Sequence, residues 1–425
     1  MLEIRWTRGY SFQPMSLIVQ KFGGTSVADM ERIRHAATLV KREVDAGHRV
    51  IVTVSAMAGQ TNHLIALTEQ AAGTPLSDTA LAEQDYVVST GEQVTSGLLA
   101  LVLQQLGCPA RAFCAWQMPF HTDGVHSKAR IQEIETEAVE KALAKGQVAV
   151  IAGYQGISPE GRITTLGRGG TDTTGVALAA AFKAERCDIY TDVDGVYTCD
   201  PRIVPKAKKL NIISYEEMLE MASQGAKVLQ TRSVEMAMNH GVRVQVRSTF
   251  DDVPGTFLVD EEEIVEQQRV TGIAYSRDEA RVSLTNVENV PGVSAALFGP
   301  LADRNINVDM IVQNVTEDGK ATDITFTVPR GDLERTIDSI KTAKRTPKYD
   351  TLHTDKNVVK VSVIGTGMRS HVGVAAEMFR TLASKGINII VITTSEIKIS
   401  VLIEEAYLEL ALRALHTAYD LDAVE

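Results

Sequence analysis

Residues 291–308 (PGVSAALFGPLADRNINV) and 372–389 (VGVAAEMFRTLASKGINI) are one pattern written twice, at a constant offset of 81 residues. Gly292 aligns with Gly373, Phe298 with Phe379, Leu301 with Leu382 and Asn307 with Asn388. Each copy follows a strand-like run, RVSLTN at 281–286 and KVSVIG at 360–365. Each precedes β-rich sequence, DITFTV at 323–328 and IKISVLI at 397–403, and then another helix. A unit of this composition reads as βαββαβ. The repeat therefore predicts two ferredoxin-like modules, over residues 265–345 and 346–425.

Ahead of them the pattern changes. From Leu17, short β-branched runs (LIVQKFGG, RVIVTVSA, QVAVIAGYQG, CDIYTDVDGVYT, VRVQVRS) alternate with helix-period stretches expected over 28–46, 63–72 and 215–224. Strands separated by helices indicate βαβ units, so the expectation is an α/β sandwich on a mainly parallel sheet. It ends before the acidic, turn-rich DDVPGTFLVDEEE, which sets a boundary near residue 260 and an expected catalytic domain over 15–260. Residues 1–14 (MLEIRWTRGYSFQP) carry no periodicity and are set aside as an extension, with the natural start expected at Met15.

Composition narrows the class. The 425 residues exceed one ordinary core, and a prior of roughly 100–200 residues per domain suggests two to four. A net charge of −11, spread rather than blocked, leaves no basic stripe for nucleic acid. Cys108, Cys114, Cys187 and Cys199 form no CxxC pair or Cys/His cluster, which fits reduced thiols, no structural metal and a cytoplasmic setting. No apolar run approaches the roughly 18 residues of a membrane span, so no membrane partner is expected.

Several strand ends carry chemistry. The first run ends in Lys21-Phe22-Gly23-Gly24-Thr25-Ser26. Paired glycines let backbone N–H groups approach phosphate oxygens, and Lys21 adds a positive charge, although an ordinary strand–helix turn has the same pattern. The second ends in the small, hydroxylated Ser55-Ala56-Met57-Ala58-Gly59-Gln60-Thr61-Asn62, at the carboxyl end where α/β sheets bind ligands. Ser89-Thr90-Gly91-Glu92-Gln93 sets one carboxylate among small residues; alone, Glu92 also fits a solvated helix start. The loop TTLGRGGTDTT (164–174) opens a small-residue helix. Its N–H groups suit an anion and Arg168 suits a carboxylate, against the blander reading of a glycine-rich turn. Asp192 and Asp194 in YTDVDGVYTCDPR fit a nucleotide loop, and Asp-Gly is also plain turn chemistry.

Taken in order, KFGGTSV, SAMAGQTN, STGEQ, TLGRGGTD, TDVDGVYTCDPR and GAKVLQ make the chain resemble aspartate kinases of the amino-acid kinase family, over essentially all of 15–425. The tail repeat resembles the paired ACT modules that regulate such enzymes. With no homoserine dehydrogenase portion following, the likeness is to the monofunctional form. Phe22 and Thr171 stand where some members have Tyr and Ser.

The resemblance implies an amino-acid-kinase αβα sandwich followed by two ACT domains. It also implies transfer of the γ-phosphoryl of ATP, with Mg²⁺ carried by the nucleotide, to the β-carboxylate of L-aspartate. That is the first step towards lysine, threonine and methionine. By motif, Lys21 contacts the transferring phosphate, with Gly23, Gly24 and Ser55 at the phosphates. Thr61, Glu92 and Arg168, with Gly169, Gly170 and Thr171, hold aspartate, Glu92 its ammonium and Arg168 its α-carboxylate. Thr191, Asp192, Tyr197, Arg202 and Lys227 line the nucleotide site, Asp192 fixing the catalytic lysines. A carboxylate nucleophile, with a reference pKa of about 3.9, needs no general base, so positive charge must do the work: Mg²⁺, Lys21, Lys227 and N–H groups.

The ACT likeness implies feedback by lysine, threonine or both, and homo-oligomers built through these modules, with a short regulatory chain from an internal start left open. The expected effector groups are Asn289, Ser294, Asn307, Val308, Asp309, Gln313, Thr322 and Asp323 in the first copy and Asn388, Ser395 and Glu396 in the second. Asp309 is expected to meet the effector's ammonium.

Overall fold

The computed structural model describes residues 16–226, 228–264, 268–343 and 347–422; the set-aside residues 1–14 lie outside these. The chain divides into two compact units. One runs to Val196 and adds Asn211–Tyr215 and Val228–Glu263; the other takes Tyr197–Leu210, the stretch beginning at Glu216, and the chain from Ile264 onward.

The first unit is an αβα sandwich on an eight-stranded sheet. Its strands run in the order Ile212–Ser214, Thr256–Val259, Val244–Ser248, Arg186–Thr191, Leu17–Phe22, Arg49–Val54, Val148–Ala152, Ala110–Phe113. Every neighbouring pair is parallel except Val244–Ser248 with Thr256–Val259. Leu17–Phe22 lies mid-sheet and is buried at all six positions, as expected of a strand covered on both faces.

Parallel neighbours need a crossover, and helices supply it. Met30–Asp45 opens two residues later than the sequence suggests, because Asp29 caps it: its carboxylate accepts from Arg32 N at 2.9 Å. Ile33, Ala36, Ala37 and Val40 then fall on one buried face. The helix expected over 63–72 starts earlier, at Gln60, after Gly59 turns through φ 80°. A small four-stranded sheet (Ile131–Ile134, Phe120–Thr122, Gln155–Ile157, Ile163–Thr165) was not foreseen; strands of three or four residues are too short to leave a period.

One expectation about apolar runs changes. Thr79–Gln105 is a 27-residue helical stretch whose best window reaches a mean hydropathy of 1.2, long enough by composition to cross a membrane. Over half of that window is packed inside the protein, and the stretch carries the buried acids Asp85 and Glu92, so it is read as a core element.

The second unit holds two four-stranded antiparallel sheets. The first runs Asp309–Val315, Ala321–Val328, Ala280–Glu288, Thr351–Asp355; the second runs Gly272–Ser276, Val358–Ile364, Lys398–Glu404, Val391–Thr394. This corrects the division at 345/346. Thr351–Asp355 closes the first module, and the second module takes its fourth strand from Gly272–Ser276, ahead of the first. The first module is therefore inserted within the second. The cause is an open strand edge: beyond helix Leu408–Ala418 the described chain has no further strand, and Val358–Ile364 pairs instead with Gly272–Ser276.

Nor does the segment expected as one catalytic domain over 15–260 stay in one unit. Cys199, Val204 and Ala207 belong to the second unit's core, with Val361, Val401 and Leu412.

Phe326 is fully buried in the first module and meets Phe298 edge-on at 5.1 Å. Phe326→Ala is expected to remove about 3–5 kcal/mol from the second unit. Denaturant unfolding followed by hydrogen exchange in each unit checks this; exchange in the strand Leu17–Phe22 should stay unchanged while the inserted module loses protection.

Candidate active site

The carboxyl ends of the central strands open onto a cleft of about 490 Å³. Lys21, Gly23 and Gly24 enter it at the end of the strand Leu17–Phe22, Ser55, Ala56, Met57, Ala58, Gly59, Thr61 and Asn62 after Arg49–Val54, Tyr154 after Val148–Ala152, and Gly167–Asp172 from the loop and first turn of the helix Gly170–Ala181. Two helices begin at its wall, Gln60–Ala72 after Gly59 and Gly170–Ala181 after Gly169. Their first N–H groups make this wall favourable to anions.

The glycines are required by close approach. A Cβ on Gly169, which sits at φ 72°, would lie 2.0 Å from Gln230 Cγ; one on Gly170 would lie 2.8 Å from the Tyr154 ring. A Cβ on Gly24 would stand 3.1 Å from the Ala56 carbonyl. Tyr154 and Ser127, both lining the cleft, hold φ of 70° and 65°, which side-chain-bearing residues adopt only under constraint.

Glu92 and Arg168 line this cleft together. Glu92 is 2% exposed, on the first turn of helix Thr90–Gln105. One carboxylate oxygen accepts from Ala56 N at 3.0 Å; the other, also buried, has no hydrogen-bond partner. Burial pushes its pKa up from 4.5 to about 7, against the Ala56 hydrogen bond. Arg168 is exposed and, among the described residues, makes no hydrogen bond or ion pair. A buried acid short of a partner and an unpaired guanidinium are what the two ends of a free amino acid require.

Lys21, 7% exposed, is ion-paired with Asp172, and the Gly23 Cβ position lies 3.3 Å from its ammonium. Asp172 was not singled out from the sequence, although it closes the quoted TLGRGGTD motif. It takes the place expected of Asp192: Asp192 is exposed, accepts from the Thr191 hydroxyl at 3.2 Å, and does not line the cleft. Ser55, Thr61 and Thr171 line it. Tyr197 and Arg202 belong to the second unit, where Arg202 forks onto Asp200 at 2.8 and 3.0 Å. Lys227 lies outside the described residues. Asp85, also missed, lines the cleft at 1% exposure; seven residues before Glu92, it carries no motif.

The groups expected to meet an effector are mostly engaged or solvated. Asp309 is ion-paired with Lys360, which also meets Glu279 at 2.9 Å, so its carboxylate is not open to an incoming ammonium as the sequence suggested. Thr322 is buried and donates to the Asn314 carbonyl at 3.0 Å. Asp323 accepts from Asn286 N at 2.8 Å, Asn289 donates to the Gly319 carbonyl at 2.9 Å, and Ser294 donates to Gln313 at 3.2 Å. Val308 packs against the first module's core. Asn307, Asn388, Ser395 and Glu396 are exposed, Glu396 facing Arg369 at 3.5 Å.

Comparison with known proteins agrees with this architecture. The amino acid kinase family model matches residues 16–248, and ACT domain models match 282–345 and 361–419. The chain is similar to an aspartate kinase of Pseudomonas putida, 52% identical over 410 residues, spanning 96% of this chain and 98% of the relative. An aspartokinase of Helicobacter pylori is 46% identical over 410 residues, 96% and 100% of the two chains. Among solved structures, E. coli aspartokinase III in complex with aspartate and ADP (R-state) superposes with a TM-score of 0.79 at 28% identity, covering 95% of this chain and 99% of that one. The same enzyme with lysine and aspartate (T-state) gives 0.74 at 27%, covering 94% and 99%.

Because Glu92 titrates higher in the fold (about 7) than unfolded (4.5), the folded state binds the extra proton between these values. Its stability contribution is full below about 4.5 and is lost as pH rises through 7, a loss of about 3 kcal/mol. Glu92→Gln, neutral throughout, is therefore expected to melt higher than the parent at pH 8 without ligand, and nearly level with it at pH 5. Calorimetry at the two pH values checks this.

Proposed function

This chain belongs to the aspartate kinases of the amino acid kinase family, and from that premise we propose that it moves the γ-phosphoryl group of ATP onto the β-carboxylate of L-aspartate. The product is 4-phospho-L-aspartate, the entry to lysine, threonine and methionine. The observation that carries the reading is one cleft holding both the unpartnered buried oxygen of Glu92 and the unpaired guanidinium of Arg168. That pair complements an ammonium and an α-carboxylate and leaves the side-chain carboxylate free to react.

The acceptor is already ionised, so a new P–O bond forms at its oxygen as the bond to the departing ADP breaks, and no base is required. The obstacle is repulsion between carboxylate and triphosphate. Lys21, the N–H groups behind Gly59 and Gly169, and Mg²⁺ arriving with the nucleotide supply the opposing charge. Asp172 balances Lys21 while phosphates are away. Lys227 and the nucleotide roles of Thr191, Asp192, Tyr197 and Arg202 come from family likeness. The E. coli structure bearing aspartate and ADP supports the same two ligands here. An acylated amino acid would set a neutral amide against the charged Glu92, so the cleft favours a free ammonium.

Control belongs to the ACT modules, with lysine, threonine or both as feedback inhibitors; the E. coli enzyme solved with lysine supports this class of effector. Assembly through these modules, with or without a short regulatory chain, and a cytoplasmic setting complete the reading.

ADP release with aspartate, glutamate or N-acetylglutamate as sole acceptor tests the function; aspartate alone should turn over, and preference for N-acetylglutamate would overturn the reading. Arg168→Ala should raise KM for aspartate about 10- to 100-fold with KM for ATP nearly unchanged, since a charge-assisted contact is worth about 1.5–3 kcal/mol. Lys21→Ala should instead lower kcat far more than either KM. Titrating activity with lysine and threonine, singly and together, tests control; a parent insensitive to every combination would refute it.

A further inference from the structure

Asp85 is an acid at the cleft for which the phosphoryl transfer has no use. It sits in the last turn of helix Asp78–Val88 and is 1% exposed. Its two oxygens gather donors from distant segments. Ser127 N donates at 2.9 and 3.2 Å, the Thr165 hydroxyl at 2.5 Å, and His126 Nδ1 lies at 2.8 Å. Ser127 is the residue held at φ 65°.

These donors stand at the base of the loop that carries Arg168. Thr165 is the last residue of the strand Ile163–Thr165, three positions before Arg168. The Thr165 carbonyl accepts from Ala129 N at 2.9 Å, so Asp85 holds both sides of a pairing between segments 127–129 and 165–167. A Cβ on Gly167, at φ 77°, would lie 3.0 Å from the Ser127 carbonyl, so the Ser127 turn also forms the floor beneath the glycine loop. Arg232 closes the far side, donating to the Leu166 and Ala129 carbonyls at 2.8 Å each.

We propose that Asp85 is a positioning residue for the amino-acid acceptor: by fixing Ser127 and Thr165 it sets where Arg168 and the N–H groups after Gly169 meet the acceptor's α-carboxylate. The proposal rests on reading the cleft as the aspartate site. The nucleotide side, with Lys21, Gly23 and Gly24, makes no hydrogen bond to Asp85, whose partners are His126, Ser127 and Thr165, so the effect divides between the two substrates. Exposed Arg168 gains its placement from the backbone beneath it, which a carboxylate with several donors holds more firmly than a neutral acceptor.

Steady-state kinetics on the full-length enzyme tests this, with aspartate and ATP varied in turn. Turnover of aspartate by the parent first establishes the site, so failure of that reading is seen separately. Asp85→Ala is expected to raise KM for aspartate about 10-fold or more while KM for ATP stays within about 2-fold. Asp85→Asn keeps one oxygen for the Thr165 hydroxyl but sets its NH2 against Ser127 N, so KM for aspartate should recover only in part, to between the parent and Asp85→Ala. A purely structural role predicts otherwise: a lower active fraction, seen in kcat and melting temperature, with both KM values unchanged. That pattern overturns the proposal. If Asp85→Ala does not fold, Thr165→Val, near-isosteric and without the hydroxyl that donates to Asp85, carries the test. It should raise KM for aspartate several-fold, and an unchanged KM overturns the proposal equally.

Discussion

An ammonium can stand at the end of a buried parallel strand only with a negative charge beside it, and the pairing of Lys21 with Asp172 is that condition met. Leaving either charge buried alone would destabilise the fold by several kcal/mol. Much of the surrounding composition follows. Asp172 lies in the first turn of Gly170–Ala181, so that helix must start beside the strand Leu17–Phe22. Gly175 eases that approach, since a Cβ there would lie 3.2 Å from Lys21 Cβ, tighter than ordinary contact. The small-residue run after Arg168 is thus the consequence of one helix packed close to one strand.

The cleft departs from the rules that stabilise the rest of the fold, and each departure falls on a residue that lines it. Glu92 is buried with an unpartnered oxygen, Tyr154 and Ser127 are held at positive φ, and Arg168 is left unpaired. A free enzyme would be more stable with these corrected, and would then lack a place for a zwitterion. Binding an ammonium at Glu92 supplies the missing partner, so ligand and stability are linked at that carboxylate.

In the second unit the same problem of buried charge is solved differently. Lys360, 4% exposed on the strand Val358–Ile364, stands between Glu279 and Asp309. Asp309 belongs to the edge strand of the inserted module, so the ion pairs tie one sheet to the other. Met310 beside it, at φ 46°, packs with Val358, Val391 and Leu402 in a small apolar cluster at the same junction. An effector that brings an ammonium here meets an Asp309 carboxylate that already shares Lys360 with Glu279, so it competes with an existing ion pair.

Periodicity in the sequence predicted an α/β sandwich followed by a repeated βαββαβ unit, because both depend on local chain geometry, while family likeness put forward Lys21, Glu92 and Arg168, which the structure brings to one cleft. Tertiary structure decided what local pattern does not encode. The Lys21 partner is Asp172 rather than Asp192, since pairing depends on which helix start packs against the strand. Asp85 became visible only when segments 127 and 165 were brought to it, and Asp309 was found already taken by Lys360. The second module completed its sheet with Gly272–Ser276 rather than with a strand of its own, because an open strand edge pairs with whatever strand the fold delivers, however far away in sequence.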